Sequence, residues 1–165
     1  MVNDSVTLVS WRSRPRSFVA LMSLYESNYQ RLGWLAGSLT TLTGAHRSTV
    51  RDDCDLLLSV TERTTYTTTL NLTYRFDEPG TASADVVSYP DMGIRVYHDA
   101  HVVEAQEWAG AATRPHAHGV LQALRRHAER ELDQRWARNM MLNKWLEYCL
   151  ERGHRFSPAT LIPAC

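Results

Sequence analysis

Alternating apolar and polar residues in the middle of the chain predict a β-hairpin. Over residues 92–97 every second residue is apolar, and a β-branched pair follows at 102–103 after a polar corner at 98–101. Successive side chains of a strand point to opposite faces of its sheet, so a period of two on either side of a turn is typical of a hairpin. We expect the rest of the chain to be arranged around this hairpin.

The segment before the hairpin carries the strongest single strand signal. One predicted face holds Tyr66, Thr68, Leu70, Leu72 and Tyr74, and the other holds Thr67, Thr69, Asn71 and Thr73. The threonines favour extended backbone because a branched Cβ is crowded in a helix. Residues 56–62 predict a further strand, and segments 38–51 and 86–89 are candidates for short ones.

Two helices are predicted, one at each end of the chain. Over residues 15–37 apolar side chains recur at steps of three and four, with Ser13 or Ser17 as the cap and Gly33 or Gly37 as the end. A longer helical pattern begins at Val120 and stops at Gly153, with a break near Leu132 as an alternative. The Gly- and Pro-containing residues 109–119 predict a mobile connection before it.

These elements predict one α+β domain over residues 1–165. An antiparallel β-sheet of about four or five strands would be covered on one face by the N- and C-terminal helices. Residues 1–12 and 154–165 are expected to be tails. With 165 residues, of which 44% are hydrophobic, the chain is long enough to bury roughly 70% of its unfolded surface.

The composition of the chain indicates which kinds of binding partner and which cellular compartment to expect. The chain has 18 basic and 18 acidic residues. The arginines of the last helix are interleaved with Glu129, Glu131 and Asp133, which favours a solvated, salt-bridged face over a nucleic-acid groove. No stretch approaches the roughly 20 apolar residues of a membrane span, and the first ten residues lack a signal-peptide pattern. The three cysteines have no paired spacing, which does not favour a disulfide framework. We therefore expect a cytoplasmic protein with no membrane partner.

Several stretches resemble a known family. They read Glu-Ser-Asn-Tyr at 26–29, Thr-Glu-Arg-Thr-Thr-Tyr-Thr-Thr-Thr at 61–69 and Arg-Val-Tyr-His-Asp-Ala at 95–100, followed by Glu104 and a helical set from Asn139 to Gly153. The chain is similar there to the YqiB-like family of bacterial proteins, domain of unknown function 1249. The resemblance implies the fold and a bacterial cytoplasmic origin, but no reaction. The chain departs from the family over residues 109–119 and at 133–135, where Asp-Gln-Arg replaces Asp-Glu-Lys.

The polar corner of the hairpin offers one candidate site. His98, Asp99, His101 and Glu104 supply two imidazoles and two carboxylates, which suit a zinc-like ion or acid–base work by a histidine. His98 and His101 are weak metal candidates because they converge only if the turn folds them together, and a fixed-spacing metal signature is missing. The alternative is that Asp99 bonds the turn backbone while the histidines are partly exposed.

A ligand site on the sheet is the second candidate. Its residues are Arg63, Tyr66, Arg95 and Tyr97, added to His98, Asp99, His101 and Glu104. Arg63 and Arg95 would hold a small polar ligand, such as a nucleotide or phosphate, beside the hydroxyls of residues 61–69. The alternative is a solvated face on which Arg95 pairs with Glu62 or Glu104 across strands.

The motifs do not favour catalysis. The sequence has no nucleophile elbow, no Gly-rich phosphate loop and no Cys-x-x-Cys. We predict a non-catalytic ligand-binding or protein-interaction (adaptor) module. Its partner would be a small polar ligand or a protein, and a homodimer is a further alternative. The alternative is a small metal- or nucleotide-dependent enzyme that uses the 98–104 corner. The sequence names no cofactor.

Overall fold

The predicted α+β fold is confirmed. A computed structural model describes residues 16–76, 87–108 and 120–163. Its elements are α1 (Phe18–Ala36), β1 (Ala45–Ser48), β2 (Asp55–Arg63), β3 (Thr67–Phe76), β4 (Val87–Tyr97), β5 (Val102–Trp108), α2 (Val120–Arg152) and a 3-10 turn at Pro158–Thr160. The predicted tail at 1–12 and connection at 109–119 lie outside the described residues.

The five strands form one antiparallel sheet in sequential order, β1 to β5. The central hairpin is confirmed, with Tyr97 opposite Val102 and a turn between them. The short strand predicted at 86–89 is the first part of β4. A register shift at the Thr73–Arg75 step of β3 lets the two strands stay paired along this length. The predicted strand from Tyr66 begins one residue later, because Tyr66 lies in the turn before β3.

One face of the sheet is buried beneath both helices. Its fully buried side chains are Leu56, Leu58, Leu70, Leu72, Met92, Ile94, Val96, Val103 and Ala105. α1 and α2 run in the same direction, since Asn28 meets Asn139 and, further along both helices, Arg31 meets Glu147. Burial of each large apolar side chain contributes about 1.5–3 kcal/mol, so the helices are held mainly by this face.

Local sequence accounts for where the helices start and stop. The Ser17 hydroxyl accepts the Ala20 amide at 3.1 Å, and Gly37 ends α1 with a φ of 71°. α2 continues unbroken for 33 residues, so the alternative of a break near Leu132 is wrong. No Gly or Pro interrupts residues 120–152, and these are the usual causes of a kink. Within the described ranges, neither helix combines the length and the apolar character needed to span a bilayer.

Three fully buried asparagines join both helices to edge strand β5. The Asn139 Oδ1 atom accepts the Ala105 amide at 2.8 Å and the Asn28 amide at 3.2 Å, while its Nδ2 donates to the Arg135 carbonyl at 2.8 Å. Asn143 donates to the Asn28 Oδ1 atom at 2.9 Å. An edge strand exposes unpaired backbone groups, and here a helix side chain caps one of them.

The opposite edge, β1, is covered by the C-terminal tail. The Ile162 amide donates to the Ala45 carbonyl at 2.7 Å, and His46 forms an isolated antiparallel bridge with Leu161. The expectation of an extended surface tail fails at its start, because His154 and Phe156 are buried and residues 158–160 form a 3-10 turn. Both helices pack on one face and both edges are partly covered, so the other face of the sheet is the one that carries no helix among the described elements.

Candidate functional site

The predicted ligand-binding residues fall on both faces of the sheet. Residues paired across an antiparallel ladder share a face. Arg95 pairs with Thr69 on the uncovered face, whereas Arg63 pairs with Thr68, which is 1% exposed on the helix side. The structure therefore does not bring Arg63 and Arg95 together around one small ligand.

On the helix side, Arg63 lies near His98, the first residue of the hairpin corner. An Arg63 guanidinium nitrogen donates to the Leu42 carbonyl at 2.8 Å, and His98 Nε2 lies 2.8 Å from the Thr68 hydroxyl. Burial lowers the pKa of His98, the Arg63 cation lowers it further, and Asp99 partly offsets both. The His98 imidazole is therefore neutral at neutral pH. Its buried Nδ1 has no hydrogen-bond partner among the described residues.

Asp99 and His101 serve the turn between β4 and β5. The exposed Asp99 accepts the Ala100 amide at 2.9 Å, which is the geometry of the turn alternative. His101 has a φ of 52°, and its exposed ring stands edge-on to Tyr29 at 5.2 Å between centroids. Within the described ranges, no group of three or more His, Cys, Asp and Glu side chains could hold a metal ion.

The Glu104 carboxylate joins four elements. It accepts the hydroxyl of Tyr25 from α1 at 3.0 Å and that of Tyr97 from β4 at 3.4 Å. Arg135 from α2 donates to the same carboxylate at 3.4 Å, and the Glu104 side chain is only 12% exposed. Burial and the Glu104 charge raise the pKa of Tyr25, so its hydroxyl stays protonated and donates. Tyr25 and Arg135 were not predicted, because no spacing in the sequence links either helix to β5.

The corner side chains are therefore directed to separate partners. His98 contacts Thr68, and Asp99 binds a backbone amide of its own turn. His101 contacts the Tyr29 ring, and Glu104 binds Tyr25 and Arg135. Acid–base catalysis needs a proton-transferring group held in position at the reacting atoms, commonly by a hydrogen-bonded partner. No carboxylate among the described residues is hydrogen bonded to either corner imidazole. This arrangement does not support the enzyme alternative.

The uncovered side of the sheet, called here the open face, is polar. It includes the half-buried residues Thr67, Thr69, Asn71, Thr73, Arg95 and Tyr97. Asn71 donates to Asp91 at 3.2 Å across strands. The Arg95 guanidinium makes no hydrogen bond or ion pair with any described residue, since the carboxylate opposite it, Glu104, is bound to Arg135. Tyr66, 64% exposed, lies at the turn beside this end of the face.

A second polar cluster, which sequence reasoning missed, lies beneath the tail. His154 is fully buried, with Nδ1 3.1 Å from the Ser48 hydroxyl and Nε2 3.3 Å from the Asp53 carboxylate. Ser48 is 4% exposed and also accepts the Arg155 amide at 3.2 Å. A serine nucleophile has to reach its substrate, so this buried trio acts as a tie between β1 and the tail. Its members are too far apart in sequence to form a motif.

Cys149 lies in the core near that cluster. Its sulfur is 3.4 Å from the Tyr74 hydroxyl, and burial raises the pKa of the thiol to about 11. Because the thiolate is the reactive form, Cys149 is inert at neutral pH. This agrees with its sequence interpretation as a core residue.

Comparison with known proteins identifies a family. The family described as "Protein of unknown function (DUF1249)" matches residues 31–155, well over half of the chain. No curated protein and no solved structure matches it. The matched range spans all five strands, the polar corner and the open face, while the tail that pairs with β1 lies beyond it.

Proposed function

We propose that the chain, which belongs to the DUF1249 family of proteins of unknown function, is a non-catalytic binding module. Its recognition surface is the open face, and its ligand is a small polar molecule that carries a carboxylate or phosphate group. Arg95 is the residue that would hold this group. A protein partner that presents an acidic side chain to the same face is the other form of the proposal.

The observation that carries the proposal is that Arg95 has no hydrogen-bond or ion-pair partner in the part of the chain that the structure describes. Other arginines near the sheet already have acceptors: Arg47 binds Asp55, Arg63 binds the Leu42 carbonyl and Arg135 binds Glu104 and Glu131. A guanidinium presents several donors in a planar fork that fits a carboxylate or phosphate in two parallel hydrogen bonds. Arg95 therefore has donors available for a ligand.

The neighbours of Arg95 suit a polar ligand. Thr69 lies opposite Arg95 on β3, and Tyr97 lies two residues along β4, so both residues share the face of Arg95. Glu104, the acid opposite Arg95, is offset by Arg135 at 3.4 Å, which reduces its competition with an incoming anion. At a half-buried position, a charge-assisted hydrogen bond contributes about 1.5–3 kcal/mol.

We also propose that the protein works in the bacterial cytoplasm. Cys54 and Cys149 are free thiols, which supports a reducing compartment. Immunoblotting of cytoplasmic and periplasmic fractions tests this, and a periplasmic location would contradict it.

The open face is tested by NMR titration of the backbone amides with inorganic phosphate, AMP and a glutamate-rich peptide. We expect saturable shifts in residues 67–73 and 91–97 with at least one of these anions. Arg95→Gln should remove the shifts, since glutamine keeps the polarity but loses the charge and the fork. The matched control is Arg51→Gln, because the Arg51 side chain is 95% exposed and lies away from the open face.

Two results would count against the proposal. One is an anion that binds wild type and Arg95→Gln equally well, and the other is a set of shifts confined to the helix-side corner around His98. If only the peptide binds, and Arg95→Gln abolishes that binding, the protein-partner form of the proposal holds.

A further inference from the structure

A cavity separate from the open face lies where α1 ends, between the α1–β1 loop and the C-terminal tail. Its volume is about 450 Å³, within the roughly 300–1,000 Å³ of small-molecule sites. Its floor is formed by Ala36, Leu42, His46 and Phe156, each less than 8% exposed. Its exposed rim carries the hydroxyls of Ser38, Thr41, Thr43 and Ser157. We call it the tail cavity.

The tail wall of this cavity is fastened at both ends. The Phe156 amide donates to the Leu35 carbonyl at 2.7 Å, and the Ile162 amide donates to the Ala45 carbonyl at 2.7 Å. Between them, the 3-10 turn at Pro158–Thr160 is held by its own contacts: the Ser157 amide donates a hydrogen bond to the Thr160 hydroxyl at 2.9 Å. The wall is therefore built independently of any occupant, which favours a largely pre-formed site.

His46 on the floor is already fully engaged. Its Nε2 lies 2.9 Å from the Thr43 carbonyl, which can only accept, so Nε2 carries the proton. Its Nδ1 faces the Thr160 hydroxyl at 3.2 Å. The imidazole therefore has no nitrogen left for a metal ion or an acidic ligand.

The lining determines the charge of the molecule that fits. Among the described residues, no carboxylate, amine or guanidinium lines the cavity, and an ion buried without a partner is costly. Ala36 and Gly37 at the end of α1 are part of the lining, and the C-terminal end of a helix carries partial negative charge. That end disfavours an anion in particular.

We infer that the tail cavity is a binding site for an uncharged, hydroxyl-bearing hydrophobic small molecule. Its apolar part lies against Leu42 and Phe156, and its hydroxyl exchanges hydrogen bonds with the rim serines and threonines. The site shares no residue with the open face.

The test uses three probes with one carbon skeleton: hexan-1-ol, hexanoate and hexylammonium. Binding is followed by NMR shifts of the amides of Gly37, Ser38, His46 and Ser157. We expect saturable binding of hexan-1-ol and at least about tenfold weaker binding of hexanoate, since the carboxylate finds no partner. Equal affinity for hexanoate and hexan-1-ol, or no saturable binding of hexan-1-ol, would overturn the inference.

Two variants separate the cavity from non-specific hydrophobic binding. Ala36→Met should fill the floor and abolish hexan-1-ol binding, whereas Ala137→Met, at an exposed position on α2, should leave it unchanged. Because a floor substitution can disturb packing, Ser38→Glu on the exposed rim gives an independent reading: it should strengthen hexylammonium binding and weaken hexanoate binding. Hexan-1-ol binding that survives in folded Ala36→Met, or an unchanged ion preference in Ser38→Glu, contradicts the assignment.

Discussion

The side-chain amides of Asn28 and Asn139 are hydrogen bonded at 3.2 Å across the interface of α1 and α2, and both residues are fully buried. The Asn139 oxygen also accepts the Ala105 amide. One side chain thus joins two helices and an edge strand.

Asn139→Leu should therefore destabilise the fold by about 2–4 kcal/mol, because it leaves the buried Ala105 amide without its acceptor and removes the side-chain acceptor of the Asn28 amide group. Urea denaturation measures the change in free energy of unfolding. Lys144→Ala, on the exposed side of the same helix, should stay within about 0.5 kcal/mol of wild type. A loss in Asn139→Leu no larger than that of the control would mean that the buried amides are not needed.

Because of Asp53, the free energy of unfolding should decrease at acidic pH. Burial raises its pKa, but hydrogen bonds from the Cys54 amide, Arg152 and His154 outweigh this and leave the pKa lowered. Because the pKa of Asp53 is lower in the folded than in the unfolded state, its ionised form stabilises the fold fully above the unfolded pKa of about 4. This stabilisation is lost as the pH falls from that value through the lower, folded-state pKa.

We expect Asp53→Asn to cost about 2 kcal/mol at pH 7, with the difference from wild type shrinking below pH 4. Urea denaturation at pH 7 and pH 3 measures both. Asp52→Asn is the control, since the Asp52 side chain is 85% exposed and its partner Arg51 lies 3.9 Å away. A difference for Asp53→Asn that is as large at pH 3 as at pH 7 would rule out this role for the charge.

Removing either of two charges near His98 should shift the pKa of its imidazole, in opposite directions. Arg63 lowers the pKa of His98 and Asp99 raises it. Arg63→Gln should therefore raise the His98 pKa, and Asp99→Asn should lower it further. NMR titration of the imidazole carbon-bound protons measures both. If neither variant moves the titration, Arg63 and Asp99 do not lie beside His98 in solution.

Two glycines should respond oppositely to alanine. Gly33 lies within α1, with no atom within 4 Å of an added Cβ, so Gly33→Ala should stabilise by about 0.5–1 kcal/mol. Gly44 has a φ of +75°, and an added Cβ would lie 2.9 Å from the Leu161 side chain. Gly44→Ala should destabilise by about 1–3 kcal/mol and loosen the tail. Urea denaturation compares the two, and a stabilised Gly44→Ala would show that the tail contact is not tight.

Periodicity predicted the elements well where a segment alternates strongly. Residues 67–76, 92–97 and 102–105 form strands, and α1 ends at Gly37, because backbone preference and face alternation are properties of adjacent residues. The weaker segments at 38–51 and 86–89 hold strands whose bounds depend on pairing with β2 and β3. The candidate site was predicted less well, since neighbours in the 98–104 corner turned to different partners.

The sequence by itself determined which residues are apolar on one side of each element, and hence an α+β domain with helices on one face of the sheet. Only the tertiary structure decided that Glu104 meets Tyr25 and Arg135, that Arg63 and Arg95 lie on opposite faces, and that Ser48, Asp53 and His154 meet beneath the tail. The physical reason is range. Periodicity reports the direction of a side chain relative to its own backbone, whereas a hydrogen-bond partner depends on how distant segments pack, and no local spacing encodes that packing.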